Sequence, residues 1–172
     1  MPIKAPVYLW TGNGWGKTTS AFGVALRSLG HGKKVVVVQF MKGRKNKIGE
    51  YKIQSKLKNL TVQQFGKESW VNLKHPSKKD INLAHKGLDF AKESLKKKPF
   101  LLILDEINLA AKIGLLEKKR ILDLLDAAPA NMHIYLTGRY APKWLIKRAN
   151  YVNVINTKKG PKKLMGEKGI DY

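Results

Sequence analysis

Short apolar runs alternate along this chain with longer stretches in which apolar residues recur every three or four positions. The runs predict buried strands and the longer stretches amphipathic helices, and their alternation is that of a parallel α/β sheet. Pro6 to Trp10 reads as the first strand and leads into a glycine-rich turn. A helix is expected from Lys17, with Ala21, Phe22, Ala25, Leu26 and Leu29 on one face and Gly30 closing it. Val35 to Phe40 reads as a second strand, apolar throughout and so covered on both faces. Met41 to Lys58 is polar and aperiodic, and is expected to be an irregular, mobile loop.

Leu60 to Phe65 predicts a third strand. Pro76-Ser77 opens a long helix, with Asp80 three residues after the Ser77 cap and a buried stripe of Ile81, Ala84, Leu88, Ala91 and Leu95. Phe100 to Leu104 is the most apolar strand and ends in Asp105-Glu106. A helix over Glu117 to Asp126, a strand at His133 to Thr137, a helix from Pro142 to Ala149 and a strand at Tyr151 to Ile155 complete the expected core. Asn156 to Tyr172 is rich in lysine and glycine and is expected to be an irregular tail. No repeat or linker divides the chain, so 172 residues are expected to form one domain, 1–172.

Composition changes this picture mainly through charge. The chain carries 34 Lys and Arg against 12 Asp and Glu, a formal charge of +22. Only five of the cations are arginine (Arg27, Arg44, Arg120, Arg139 and Arg148), whereas bidentate recognition of phosphate or guanine favours arginine. The lysines are spread along the chain, densest at 42–47, 96–98 and 158–163. We therefore read them as a solvated surface that attracts anions in a salt-dependent way, and do not expect nucleic acid as a partner. The absence of cysteine excludes a disulfide scaffold, a zinc ribbon and a cysteine nucleophile. No apolar run approaches the roughly 20 residues that cross a bilayer, and no signal region opens the chain, so no membrane association and a cytoplasmic location are expected.

The strongest chemical signal is Thr11-Gly12-Asn13-Gly14-Trp15-Gly16-Lys17-Thr18-Thr19, between a strand and a helix. A glycine loop of this kind wraps a phosphate chain with inward N–H groups; Lys17 adds a cation, and Thr18 offers a hydroxyl to Mg²⁺. Thr11 stands where the strict pattern has glycine. Asp105 and Glu106, at the end of a buried strand, are the matching carboxylates for the metal. Arg139, after the next strand, is placed either for phosphate or a second substrate, or for a structural ion pair. His31, His75, His85 and His133 are scattered, without a carboxylate or serine at catalytic spacing. A reaction whose nucleophile needs no general base fits best.

In this order the segments 11–23, Val38 to Gly43, Leu104-Asp105-Glu106, Leu136 to Pro142 and Gly166 to Tyr172 resemble the P-loop type ATP:corrinoid adenosyltransferases. The resemblance implies a P-loop NTPase-like (RecA-like) α/β fold, a mostly parallel sheet with helices on both faces. It implies that the Co(I) of a corrinoid, such as cobalamin or a precursor, attacks the 5′ carbon of ATP and expels triphosphate. It further implies that Gly12, Asn13, Gly14, Trp15, Gly16, Lys17, Thr18, Thr19 and Arg139 hold ATP, with Thr18, Glu106 and Asp105 about Mg²⁺. Lys17, Thr18 and Glu106 are then the residues that carry the reaction. Trp70, and secondarily Phe65, are the expected aromatic wall for the corrinoid. A homodimer and a reductase or flavodoxin-type electron donor are the partners implied. Trp15 stands where the family commonly has lysine, Asn150 and Val154 where it has acids, and the N-terminal lid of longer members is expected to be absent. A P-loop ATPase or nucleotide kinase that cleaves the terminal phosphate remains an alternative, as does a basic nucleic-acid-binding ATPase.

Overall fold

The computed structural model of the protein describes residues 4–43, 48–160 and 166–170. Six strands, β1 (Val7–Thr11), β2 (Val35–Phe40), β3 (Leu60–Phe65), β4 (Leu101–Asp105), β5 (His133–Thr137) and β6 (Tyr151–Val154), form one sheet in the order β3-β2-β4-β5-β1-β6. Every pairing is parallel. All strands therefore end on the same edge, where a ligand of an α/β sheet binds. With its helices on both faces, this is the P-loop NTPase-like fold.

Two apolar layers hold the helices to the sheet. On one face, Ala21 and Ala25 of α1 (Lys17–Gly30) bury against Val35, Val37, Val62, Leu101 and Ile103, and Tyr51 of α2 (Gly49–Lys52) packs beside them. On the other, α3 (Lys78–Ser94), α4 (Ile107–Lys112), α5 (Lys118–Ala127) and α6 (Lys143–Arg148) cover Leu9, Val38, Phe40, Leu102, Leu104 and Leu136. Alternation along β2 and β4 sends successive apolar residues into opposite layers, which is why both strands are apolar on both faces. On the α1 side of β6, β1 and β5, Tyr151, Tyr8 and Tyr135 stack in a row, and Trp10 stacks on Tyr135, at centroid distances of 4.6–4.7 Å.

The strands and the long helices fall where the periodicity puts them, within a residue or two. At α3, Ser77 Oγ accepts the Asp80 backbone N–H while the Asp80 carboxylate accepts that of Ser77, so the expected capping box is present in full. Three expectations need correction. The segment expected to be irregular from Met41 to Lys58 contains α2 and a 3-10 turn at Ile53–Lys56, because Tyr51 and Leu57 find partners in the α1-side core; residues 44–47 lie outside the described part. The turn α4 follows β4 immediately and was not expected, since its six residues are too few to show a helical period. β2 is not apolar throughout: Gln39 is fully buried within it.

Candidate functional site

The loop between β1 and α1 is folded against the end of the last strand. Gly14 N–H donates to the Ile155 carbonyl at 2.7 Å, and Gly12 adopts φ 99°, a left-handed conformation suited to glycine. A Cβ at Gly12 would sit 2.4 Å from the Ile155 oxygen, so this turn has room for hydrogen alone. Gly16, also left-handed, caps α1 without any side-chain bond, so no side chain caps the first turn, whose residues line the cavity. Lys17 is buried and turns its ammonium back onto the carbonyls of Gly12 (2.9 Å) and Gly14. Burial, with the Arg139 charge, holds its pKa below the ordinary lysine value despite Glu106 and Asp105.

Asp105 is fully buried at the end of β4 and is the hub of the site. Its Oδ1 accepts from Thr18 Oγ1 (2.8 Å) and Thr137 Oγ1 (2.6 Å), and its Oδ2 from Gln39 Nε2 (3.0 Å) and Lys42 Nζ (2.8 Å). Burial works against this charge, but Lys42 and the hydroxyl and amide donors outweigh it, and the carboxyl lies below the usual carboxylate range. Glu106 follows in the left-handed conformation, φ 66°, with its backbone N–H donated to Thr137 Oγ1. Burial and the Asp105 charge raise its pKa, against the pull of Lys42, Lys17 and Arg139. Asn108, behind it, ties β1 to the β5 end through bonds to the carbonyls of Trp10 and Gly138.

These groups open into a cavity of about 620 Å³ with two characters. Gly14 to Thr19, Lys42, Glu106 and Arg139 form its charged end, and Phe22, Leu26, Ile53 and Leu57 with Ile170 of the tail form an apolar one. Of the expected site residues, the loop from Gly14 to Thr19, Glu106 and Arg139 thus come together, with Asp105 just behind them. Gly12 lies at the back of the loop, Asn13 on its exposed rim, and neither lines the cavity. Trp15 stands half exposed at its mouth, beside Gly160.

The two aromatic candidates lie elsewhere. Phe65 packs on Phe90 (5.6 Å between ring centroids) and against Gly87, on the α3 side of the sheet. Trp70 is 85% exposed on the connection after β3, at the same sheet edge but outside the cavity lining. Lys42, Gln39 and Thr137 were not singled out as site residues. The polar Gln39 inside an apolar strand was the signal that could have found the Asp105 network.

Among the described residues no three His, Cys, Asp or Glu side chains gather as a metal cluster, and no helix is long and apolar enough to cross a membrane. A divalent ion here would need hard oxygen donors from a ligand as well as from protein. Thr18 Oγ1, oriented by Asp105, and the cavity-facing Glu106 are oxygen donors of that kind.

A model of the family described as ATP:corrinoid adenosyltransferase BtuR/CobO/CobP matches residues 4–172. A corrinoid adenosyltransferase of Pseudomonas aeruginosa is 34% identical over 165 residues, covering 94% of this chain and 81% of that protein. One from a Sinorhizobium species is 29% identical over 174 residues (98% and 81%), and one from Escherichia coli K12 is 29% identical over 174 residues (96% and 85%). With a glycine-rich loop between β1 and α1, a cavity polar at one end and apolar at the other, and relatives aligned over nearly its whole length, the chain belongs to the ATP:corrinoid adenosyltransferase family.

Proposed function

We propose that the protein transfers the 5′-deoxyadenosyl group of ATP to the Co(I) of a corrinoid. The cobalt electron pair forms a bond to C5′, the C5′–O bond breaks, and its electrons leave with triphosphate. No proton has to move, so the chain's work is to position the reactants and stabilise the leaving group. The observation that carries this reading is the convergence of Lys17, Lys42, Arg139 and an uncapped helix N-terminus on one end of a cavity whose other end is apolar.

In this reading the N–H groups of the loop and first turn of α1 take the triphosphate, and Lys17 leaves the carbonyls of Gly12 and Gly14 for it. Thr18 and Glu106 hold Mg²⁺, and Asp105, its oxygens already filled, orients Thr18 rather than binding the ion directly. When bound, Mg²⁺ neutralises charge on the departing phosphates. Arg139 faces the same charge from the β5 end. Trp70 is the aromatic group available to a corrinoid seated over the strand ends, whereas Phe65 contributes through packing on α3. A homodimer, a reductase or flavodoxin-type donor and a cytoplasmic setting belong to this proposal through the family resemblance.

The test is incubation with ATP, Mg²⁺ and chemically reduced corrinoid, following the visible spectrum and the phosphate products. Triphosphate appearing together with a cobalt–carbon bond is the expected result. ADP and phosphate without that bond would return the site to terminal-phosphate cleavage.

A further inference from the structure

Lys42 is held in place by unusual backbone on either side. Met41 adopts φ 58°, rare for a side chain of its size, while its N–H donates to the Phe65 carbonyl at 2.9 Å. Gly43 and Gly66 meet so closely that a Cβ on Gly43 would lie 2.3 Å from the Gly66 oxygen, and one on Gly66 would lie 2.4 Å from Lys42 N. This bend at the end of β2 throws the lysine side chain back across the ends of β2 and β4. Its ammonium comes to rest 2.8 Å from Asp105 Oδ2 and 3.3 Å from Thr18 Oγ1.

That position matters because it covers Thr18, a metal donor in the proposed reading, and Asp105, the carboxylate that orients it. Thr18 Oγ1 gives its proton to Asp105 and receives Lys42 on the other side, so the ammonium faces the lone pairs a metal would need. Asp105 Oδ2 is closed in the same way by Gln39 and Lys42. Three of the four Asp105 donors are neutral groups fixed by strand and helix, and Lys42 alone is a cation on a flexible stem, with 24% of its side chain exposed.

We infer that Lys42 is a resident counter-cation that occupies the Thr18–Asp105 cation position in the nucleotide-free protein and admits a divalent ion only when a triphosphate draws it away. The inference rests on the proposed Thr18–Glu106 metal site. A triphosphate offers the ammonium anionic oxygens within the same cavity, so Lys42 exchanges one anion for another as the metal arrives. Nucleotide and metal then strengthen each other's binding, since each needs the same movement of one side chain. The arrangement makes metal entry conditional on nucleotide.

Mn²⁺, an oxygen-seeking ion visible by electron paramagnetic resonance, is the probe, with the folded protein and no corrinoid. Wild type without nucleotide is expected to bind Mn²⁺ weakly. Lys42→Met, which opens Thr18 and Asp105, should bind it at least tenfold more tightly without nucleotide, and Lys42→Arg should behave as wild type. If Lys42→Met does not fold by circular dichroism, Lys42→Gln keeps a neutral donor to Asp105 and is expected to show the same gain. A folded neutral variant with no gain overturns the inference, and so does an equal gain in Lys42→Arg, which would attribute the effect to lost packing. Failure of the underlying metal reading looks different: wild type with ATP would then hold no more Mn²⁺ than ATP does in its absence.

Discussion

Two connections at the same edge of the sheet have opposite characters. The loop from Thr11 to Thr19 is bound from within: Gly14 to Ile155, Lys17 to two carbonyls, and the Thr11 hydroxyl accepting the Ala141 N–H at 3.2 Å. The connection from Gly66 to Pro76 is held at its ends, by the Gly66 contact with Met41 and Lys42 and by the Lys67–Asp80 pair at 2.9 Å. Between them it carries mostly exposed residues, with Asn72 Oδ1 making a local turn by accepting from Lys74 and His75. A multiply charged ligand demands donors fixed before it arrives, because orienting them afterwards costs entropy and binding. A broad, flat ligand can be met by exposed rings at low cost. In the proposed function, the first kind of site falls in the core and the second on the surface.

The sharpest way to break this contrast is Lys17→Ala. The fold should survive, while kcat/KM falls by roughly 10²–10³-fold, as for loss of one charge-stabilising donor. Near-normal turnover, followed by the corrinoid spectrum, would separate the loop from the chemistry. Gly14→Ala tests the rigidity itself. Its Cβ would lie 2.8 Å from the Ile155 oxygen and 2.9 Å from Asn156 C, both backbone, so a loss of about 1–3 kcal/mol in chemical denaturation is expected.

On the other side of the comparison, Ser77→Ala removes half of the box that anchors the exposed connection. It should cost about 1 kcal/mol, and lower Tm by roughly 2–4 °C for a chain of this size. Asp80 adds a pH signature. Although burial opposes it, bonds from Ser77 and Lys67 hold its carboxyl below the usual range. Its contribution is therefore complete above the unfolded-state pKa and is lost as pH falls through the lower folded value. Asp80→Asn should show a shallower loss of stability on acidification than wild type. Smallest in stability is Trp70→Ala, within about 0.5 kcal/mol. It should leave the ATP dissociation constant unchanged while weakening use of the corrinoid, and equal effects on both substrates would assign the ring to packing.

What was legible in the sequence follows the same division. β2 and β4 showed as apolar runs because both of their faces are covered, and α3 showed its period and its cap because one face is buried and one wet. The loop was readable because a tight turn between strand and helix needs glycine at fixed spacing, and Gly12 and Gly16 both adopt positive φ. Lys42 was hidden among lysines that look alike in composition, and only the bend at Met41 and the contact between Gly43 and Gly66 single it out. Phe65 could be read two ways for a related reason: an aromatic residue at the end of a strand fits a ligand wall and a helix contact equally well. Here the gap left by Gly87 on α3 receives it.

The place of β1 in the sheet has a consequence for how the protein is made. It is the earliest strand in the chain, yet its neighbours are β5 and β6, the last two, and its loop leans on Ile155. A ribosome releasing the chain from its N-terminus delivers the β1–α1 loop before the strands that support it. During synthesis that loop stays unfinished until Ile155 has emerged and the end of β6 docks against it.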